Sequence, residues 1–255
     1  MKILLSSVFA VSLSIMTCLT IADDHAKKDA PINTPLTGIN TFSCNFMPGK
    51  DMDDYMKVVK KYNEWADENN PNPQSAWLFI PTFYEDRAHD FYWVGAAPSM
   101  LEAAQNMDMW VKNGTNLAKQ FQKVVDCDQS QLWAGRTIFA SDNFEDSPSG
   151  MIGAQSCKIN AGKSLSDVGE ATRKTERIVM DAGLTNRAVF RWQPRAGVDR
   201  SKMDFLMLYA SETMEQRVVN GNMLSKANAW PKIREIQRSV RSCQPLGMSR
   251  YIKVR

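Results

Sequence analysis

Ser43–Lys50 reads SCNFMPGK, and Ser156–Lys163 reads SCKINAGK. Ser-Cys, four variable residues and Gly-Lys thus occur twice in one chain of 255 residues. Other positions keep step with the motif. Asp54 and Asp167 each stand ten residues beyond the motif Cys, and Asp90-Phe91 and Asp204-Phe205 hold matching places downstream. Recurring landmarks at domain-scale spacing predict two copies of one folding unit. The motif Gly has a local reason, because a strand that turns sharply into a helix needs a residue tolerant of positive φ. The Lys beside it reads as a solvated turn residue. A phosphate-binding loop needs two glycines and a Ser or Thr after the Lys, and Pro48 and Ala161 leave a single Gly in each loop.

Around the motif, each copy shows the same run of elements. FSCNFM is a short strand, and Tyr55, Val58, Val59, Tyr62 and Trp65 then recur at helical spacing until NNPNP stops them. SAWLFIPTFY and DFYWVGA flank a turn and predict a hairpin. A second helical stretch, broken near NGT, leads to QLWAGRTIFA as the last strand. The second copy runs through GAQSCKIN, a turn and helix over GKSLSDVGEATRKTERIVMDAG, a hairpin of RAVFRWQPRAG and KMDFLMLYAS, a long helical segment, and GMSRYIKV. The order is β-α-β-β-α-β, the ferredoxin-like split unit, occurring twice.

The organisation that follows has a leader over 1–22, a loose polar arm over 23–39, a first repeat over 40–140, a linker over 141–150 and a second repeat over 151–255. Lys2, a weakly apolar run from Ile3 to Ile21 and the Thr20-Ile21-Ala22 site have the form of a cleavable signal peptide rather than a permanent membrane anchor. The expected location is therefore periplasmic or secreted, with cleavage near Ala22. Cys18 leaves with the leader. Cys44, Cys127, Cys157 and Cys243 are left in an oxidising compartment. Each copy has one Cys near its start and one near its end at almost the same separation, so equivalent positions pair as Cys44–Cys127 and Cys157–Cys243. Four buried free thiols are the competing reading.

Charge divides the copies. Residues 1–150 carry 12 Lys and Arg against 19 Asp and Glu, a net of −7, and residues 151–255 carry 19 against 9, a net of +10. The basic residues are spread over strands and helices rather than massed on one recognition element, which argues against nucleic acid. Docking of an acidic half on a basic half is the simpler expectation.

One such unit lays its helices on one face of a four-stranded sheet, yet these strands are rich in large side chains on both faces. Strands apolar on both faces are buried on both. Taken with the element order and the duplication, the chain resembles the dimeric α/β-barrel superfamily in a tandem, single-chain form, over about residues 40–255. The resemblance implies an α+β fold in which two antiparallel sheets close face to face as an intramolecular barrel, in a monomer. It implies nothing specific about activity.

Several chemistries lack their residues. There are two histidines, His25 and His89, and the second copy has none, so a haem enzyme of this superfamily would lack its axial ligand there. No H-E-x-x-H, C-x-x-C or G-x-S-x-G occurs. His89 reads as a solvated turn residue. No cofactor is expected, with one special case: cleavage after Ala22 would expose Asp23-Asp24-His25, whose amine, amides and His25 imidazole suit square-planar Cu(II) or Ni(II). The remaining candidate is the space between the sheets. If Ala188, Phe190 and Trp192 face the helices, then Arg191, Gln193 and Arg195 point into the barrel, opposite Tyr92 and Trp93. Arginine beside aromatic rings suits an anionic or aromatic small molecule. The expected function is binding of a small molecule or protein partner without catalysis. A cofactor-independent, monooxygenase-like enzyme is the alternative, weakened by the lack of an acid–base pair.

Overall fold

The computed structural model describes residues 36–84, 88–141, 147–184 and 186–255, all within one compact unit. The expected leader, His25, most of the arm and the centre of the linker lie outside these residues. Among the described residues no helix is long and apolar enough to cross a membrane.

In the first half the chain runs β1 (Thr37–Phe46), α1 (Met52–Asn69), β2 (Ser75–Phe83), β3 (Phe91–Ala97), α2 (Met100–Asn113), α3 (Thr115–Phe121) and β4 (Val125–Ala140). In the second it runs β5 (Ser149–Ile159), α4 (Leu165–Asp181), β6 (Arg187–Ala196), β7 (Phe205–Ser211), α5 (Met214–Lys226), α6 (Trp230–Arg238), β8 (Arg241–Cys243) and β9 (Gly247–Lys253). The expected order appears twice, with shifted edges: β1 takes in the last residues of the arm, and β5 the last residues of the linker. The second helical region is split in both halves. Gly114 separates α2 from α3, where a side chain would strike the Trp110 ring. Asn228, at φ 48°, breaks α5 from α6. Between β8 and β9, Pro245 has no N–H to give to a ladder.

The duplicated motif builds the same turn twice. Gly49 and Gly162 have φ of 73° and 74°, the left-handed conformation that Gly adopts without a Cβ penalty. Lys50 N–H donates to Met47 O at 2.9 Å, and Lys163 N–H to Asn160 O at 3.0 Å. Both lysines are exposed, as expected of turn residues. Asp51 caps α1 by accepting from Asp54 N–H, and Ser164 caps α4 in a reciprocal box with Asp167. Asp90 accepts from Phe46 N–H at 2.9 Å, and Asp204 from Ile159 N–H at 2.8 Å, so each ties the end of a first strand to the start of a third. The paired aspartates of the sequence thus serve paired structural ends.

The strands form one closed antiparallel barrel in the order β1-β3-β2-β9-β5-β7-β6-β4, with β4 returning to β1. Closure occurs at the edges: β4 leaves its own half to pair with β6, and β9 pairs with β2. Each half therefore completes the other's sheet, and no edge of the eight-stranded ring is left unpaired. Short β8 extends the line of β9 along β5. Both disulfides connect directly opposed residues: Cys44 with Cys127 across β1 and β4, and Cys157 with Cys243 across β5 and β8.

The barrel interior is filled by side chains, including Ile39, Val94, Trp133, Ile152, Leu208 and Tyr251. Trp192 joins them, 6.3 Å from the Phe79 ring and 6.4 Å from Trp133. The indole N–H of Trp133 donates to Thr41 Oγ1 at 3.1 Å, which satisfies the polar edge of a buried ring.

This interior corrects the expected facing of β6. Ala188, Phe190 and Trp192 turn inward, and Val189 and Arg191 turn toward the helices. Trp133 and Phe79 provide a stacking surface for Trp192 inside the barrel, and strand period then decides every other position. Among the described residues, Arg255 and Asp67 form an ion pair between the halves at 2.7 Å.

Candidate functional site

Between the outer face of the first-half sheet and its helices lies a cavity of about 640 Å3. Protein interiors are packed with few voids larger than a water molecule, so a space of this size is a candidate binding site. Its floor is the helix-facing side of β1 and β3, with Asn40, Phe42, Cys44 and Trp93. Helix α1 supplies Tyr55, Tyr62 and Trp65, and α2 and α3 supply Trp110 and Phe121. The rings brace one another. Tyr62 meets Trp93 edge-on at 5.3 Å and Trp110 at 5.8 Å, and Trp65 meets Trp110 at 5.2 Å.

Local sequence explains why this interface is hollow. Ala97, Ala103, Ala104 and Ala118 line the walls, so large rings stand opposite small side chains. The helix closes down where Gly38 lets α2 reach β1, since a Cβ on Gly38 would collide with Ala103. Gly95 likewise leaves room for the Asn40 and Gln74 side chains.

One end of the cavity is polar and uncharged. The Tyr62 hydroxyl donates to Gln74 Oε1 at 2.9 Å, and Asn70 Nδ2 donates to the same oxygen at 2.9 Å. Asn70 Oδ1 is buried and has no hydrogen-bond partner in the structure. Asn106 is held by the Asn72 backbone, accepting from its N–H at 3.3 Å and donating to its O at 3.2 Å. Burial pushes the Tyr62 hydroxyl up, against the Arg255 charge and its amide neighbours, and burial raises Tyr55 further. Both hydroxyls are therefore protonated at neutral pH and able to donate. Among the described lining residues there is no Lys, Arg or His, and the carboxylates, Asp108 and Asp126, belong to exposed residues. Such a site suits a neutral, flat, apolar molecule with an amide-matching polar end.

The residues expected to bind ligand do not converge. Arg191 donates from Nη1 to Leu165 O at 3.0 Å, on the helix side of the second half. Gln193 is half-buried and Arg195 is exposed. Trp93 lines the cavity of the first half, whereas Tyr92 turns toward the barrel and meets the His89 ring at 5.6 Å. His89 is itself a correction. It is buried, not solvated, and its Nε2 lies 2.9 Å from Asp128 Oδ1, at the residue that the β1–β4 register skips. Tyr55, Tyr62, Trp65 and Trp110 carry the site, yet their spacing reads as an ordinary core stripe. The available signal was the run of aromatics on α1 facing the Ala-Ala pair in LEAAQNMDMW.

No family model matches this sequence. The human Headcase protein homolog is 29% identical over 154 residues, which is 58% of this chain and 25% of that protein. The chain thus spans about a quarter of the length of that relative. Solved structures are similar over nearly the whole chain. A chlorite dismutase-like protein superposes with a TM-score of 0.54 at 11% identity, covering 86% of this chain and 96% of its own. A monooxygenase-like protein from Fusobacterium nucleatum gives 0.53 at 8% identity, covering 87% and 94%. An anthrone oxidase-like protein gives 0.52 at 10%, covering 88% and 93%. The fold is the α+β barrel that these structures share. At these identities the likeness concerns the fold alone.

The described cavity lining offers no imidazole, and its cysteines, Cys44 and Cys127, are joined in a disulfide, so neither His nor Cys thiolate is available there to ligate a haem. His89 does not line the cavity.

Proposed function

We propose that this protein binds a neutral, largely aromatic small molecule in the first-half cavity and does not transform it. The cavity carries this reading: about 640 Å3, walled by seven aromatic side chains, with amides at one end and a buried Asn70 oxygen lacking a partner. Stacking on braced rings costs little side-chain entropy, and the Asn70 acceptor offers a donor-bearing ligand a directional bond. The leader-like first 22 residues and the two disulfides support action outside the cytoplasm.

An oxygenase working between the sheets is the second reading, and it draws on the monooxygenase-like and anthrone oxidase-like structures of this fold. The ring-filled barrel supports binding over that reading. Native mass spectrometry of protein from an oxidising export compartment is the test, followed by titration with the neutral fluorophore N-phenylnaphthylamine. Binding predicts a releasable adduct or saturable fluorescence, weakened at least tenfold by Ala118→Leu, which fills the cavity. A bare mass together with unsaturable fluorescence would overturn the reading.

A further inference from the structure

The amides that line the first-half cavity are not equivalent. Asn106 spends both its oxygen and its nitrogen on the Asn72 backbone, and Gln131 Oε1 accepts from the Thr41 hydroxyl at 3.3 Å. Asn70 and Gln74 are committed at one end each. Gln74 Oε1 accepts from both the Tyr62 hydroxyl and Asn70 Nδ2, and this settles which end of each amide is oxygen and which is nitrogen. The opposite ends are left over. Asn70 Oδ1 is buried without a hydrogen bond in the structure, and no hydrogen bond from Gln74 Nε2 is seen among the described residues.

The floor of the cavity keeps room for this polar end. A Cβ on Gly95 would stand 2.8 Å from Gln74 Nε2 and would also strike Asn40 Oδ1, so the absent side chain leaves a recess in which amides meet a buried strand. An acceptor left without a donor in such a place is a standing cost, and a ligand N–H removes it. Two polar atoms of opposite kind, on separate side chains, call for two polar atoms in the ligand. A ring N–H beside a ring C=O carries both in the plane of an aromatic system, the kind of edge that Asn and Gln read on heterocyclic bases. The rest of such a ring system lies among Tyr62, Trp65, Trp93 and Trp110. Among the described lining residues no Lys, Arg or His is present to answer a phosphate or carboxylate tail.

Building on the binding role proposed for this cavity, we infer that it selects a fused, uncharged nitrogen heteroaromatic with a ring N–H next to a C=O, an edge of the lactam or cyclic ureide kind, read by Asn70 and Gln74. The aromatic walls give affinity to any flat apolar molecule that fits. The amides decide among such molecules, because a site built to bond an N–H rejects the analogue that lacks it. Asn70 is the specificity-determining residue.

The test compares two ligands on the unaltered full chain, so it does not depend on a variant folding. Lumichrome is a flat fluorescent tricycle with N–H groups on both sides of a ring C=O. Its 1,3-dimethyl analogue keeps the rings and carbonyls and has both N–H groups methylated. Fluorescence titration at mildly acidic pH, where lumichrome is uncharged, should show lumichrome binding at least about tenfold more tightly than the analogue. Asn70→Leu should erase that preference and leave the affinity for the analogue within about twofold of the wild-type value. Equal affinities, or no lumichrome binding, in a chain that binds N-phenylnaphthylamine saturably would overturn the heterocycle assignment and leave the binding role standing. Loss of N-phenylnaphthylamine binding as well would overturn both. A preference that survives in Asn70→Leu would show that the methyl groups are excluded by shape, and would overturn the role of Asn70.

Discussion

The two helix–sheet interfaces occupy corresponding places in the fold and have opposite contents. Under α1, α2 and α3 the first half carries rings, alanines and neutral amides around an open cavity. Under α4, α5 and α6 the second half carries Arg187, Arg191, Arg217 and Arg241 with Glu176 and Tyr209. The turns, caps and disulfides that frame these interfaces are nearly the same. A shared frame therefore does not dictate shared contents. The side chains on one face of β1 and β6 and the facing sides of the helices decide whether the interface is hollow or charged.

The frame can be broken in either half, and this gives the largest expected effects. Replacing both cysteines of one bridge with Ser should cost about 4.5 kcal/mol in denaturant unfolding, as expected for loops of this length. The halves should then differ in a second readout. Loss of Cys44–Cys127, which borders the cavity, should also weaken N-phenylnaphthylamine binding, whereas loss of Cys157–Cys243 should leave it intact. Equal weakening by both would mean that the cavity is not local to the first half.

Next in size, Glu176→Gln removes the buried counter-charge of Arg187 and should cost about 3–4 kcal/mol. A neutral outcome would show that the charged interface does not need its carboxylate. Ala118→Leu should change stability by less than about 1 kcal/mol while weakening the cavity ligand at least tenfold, which separates binding from folding.

The smallest effect compares the two N-caps. Hydrogen bonds from the Ser164 hydroxyl and N–H hold the Asp167 carboxyl below its usual range. A carboxyl with a depressed folded value contributes its stability above the unfolded range, and that contribution is lost as pH falls through the folded value. Asp167→Asn should therefore flatten the acid limb of the stability curve below about pH 4. Asp54 is held low chiefly by Lys57 instead, so at high salt its contribution should fade before that of Asp167.

Much of this architecture was legible in the sequence because it rests on local rules. Gly49 and Gly162 and the strand-opening Asp90 and Asp204 each act within a turn or between neighbouring strand ends. The facing of β6 was not legible. Ala188-Val189-Phe190-Arg191-Trp192 alternates acceptably in either register, and only the presence of Trp133 and Phe79 inside the barrel draws Trp192 inward. The cavity was hidden for a related reason. A stripe of Tyr55, Tyr62 and Trp65 has the same spacing whether the opposite wall is filled or empty.

By itself the sequence determined the repeated element order, the turns and which cysteines are equivalent, since these depend on backbone conformation and on separations along the chain. Only the tertiary structure decided that β4 and β9 cross to the opposite half, that Arg191 leaves the barrel, and that one interface is hollow while the other is charged. Each of these depends on volume and charge contributed by residues distant in sequence, and a strand's own period cannot register what will stand across from it.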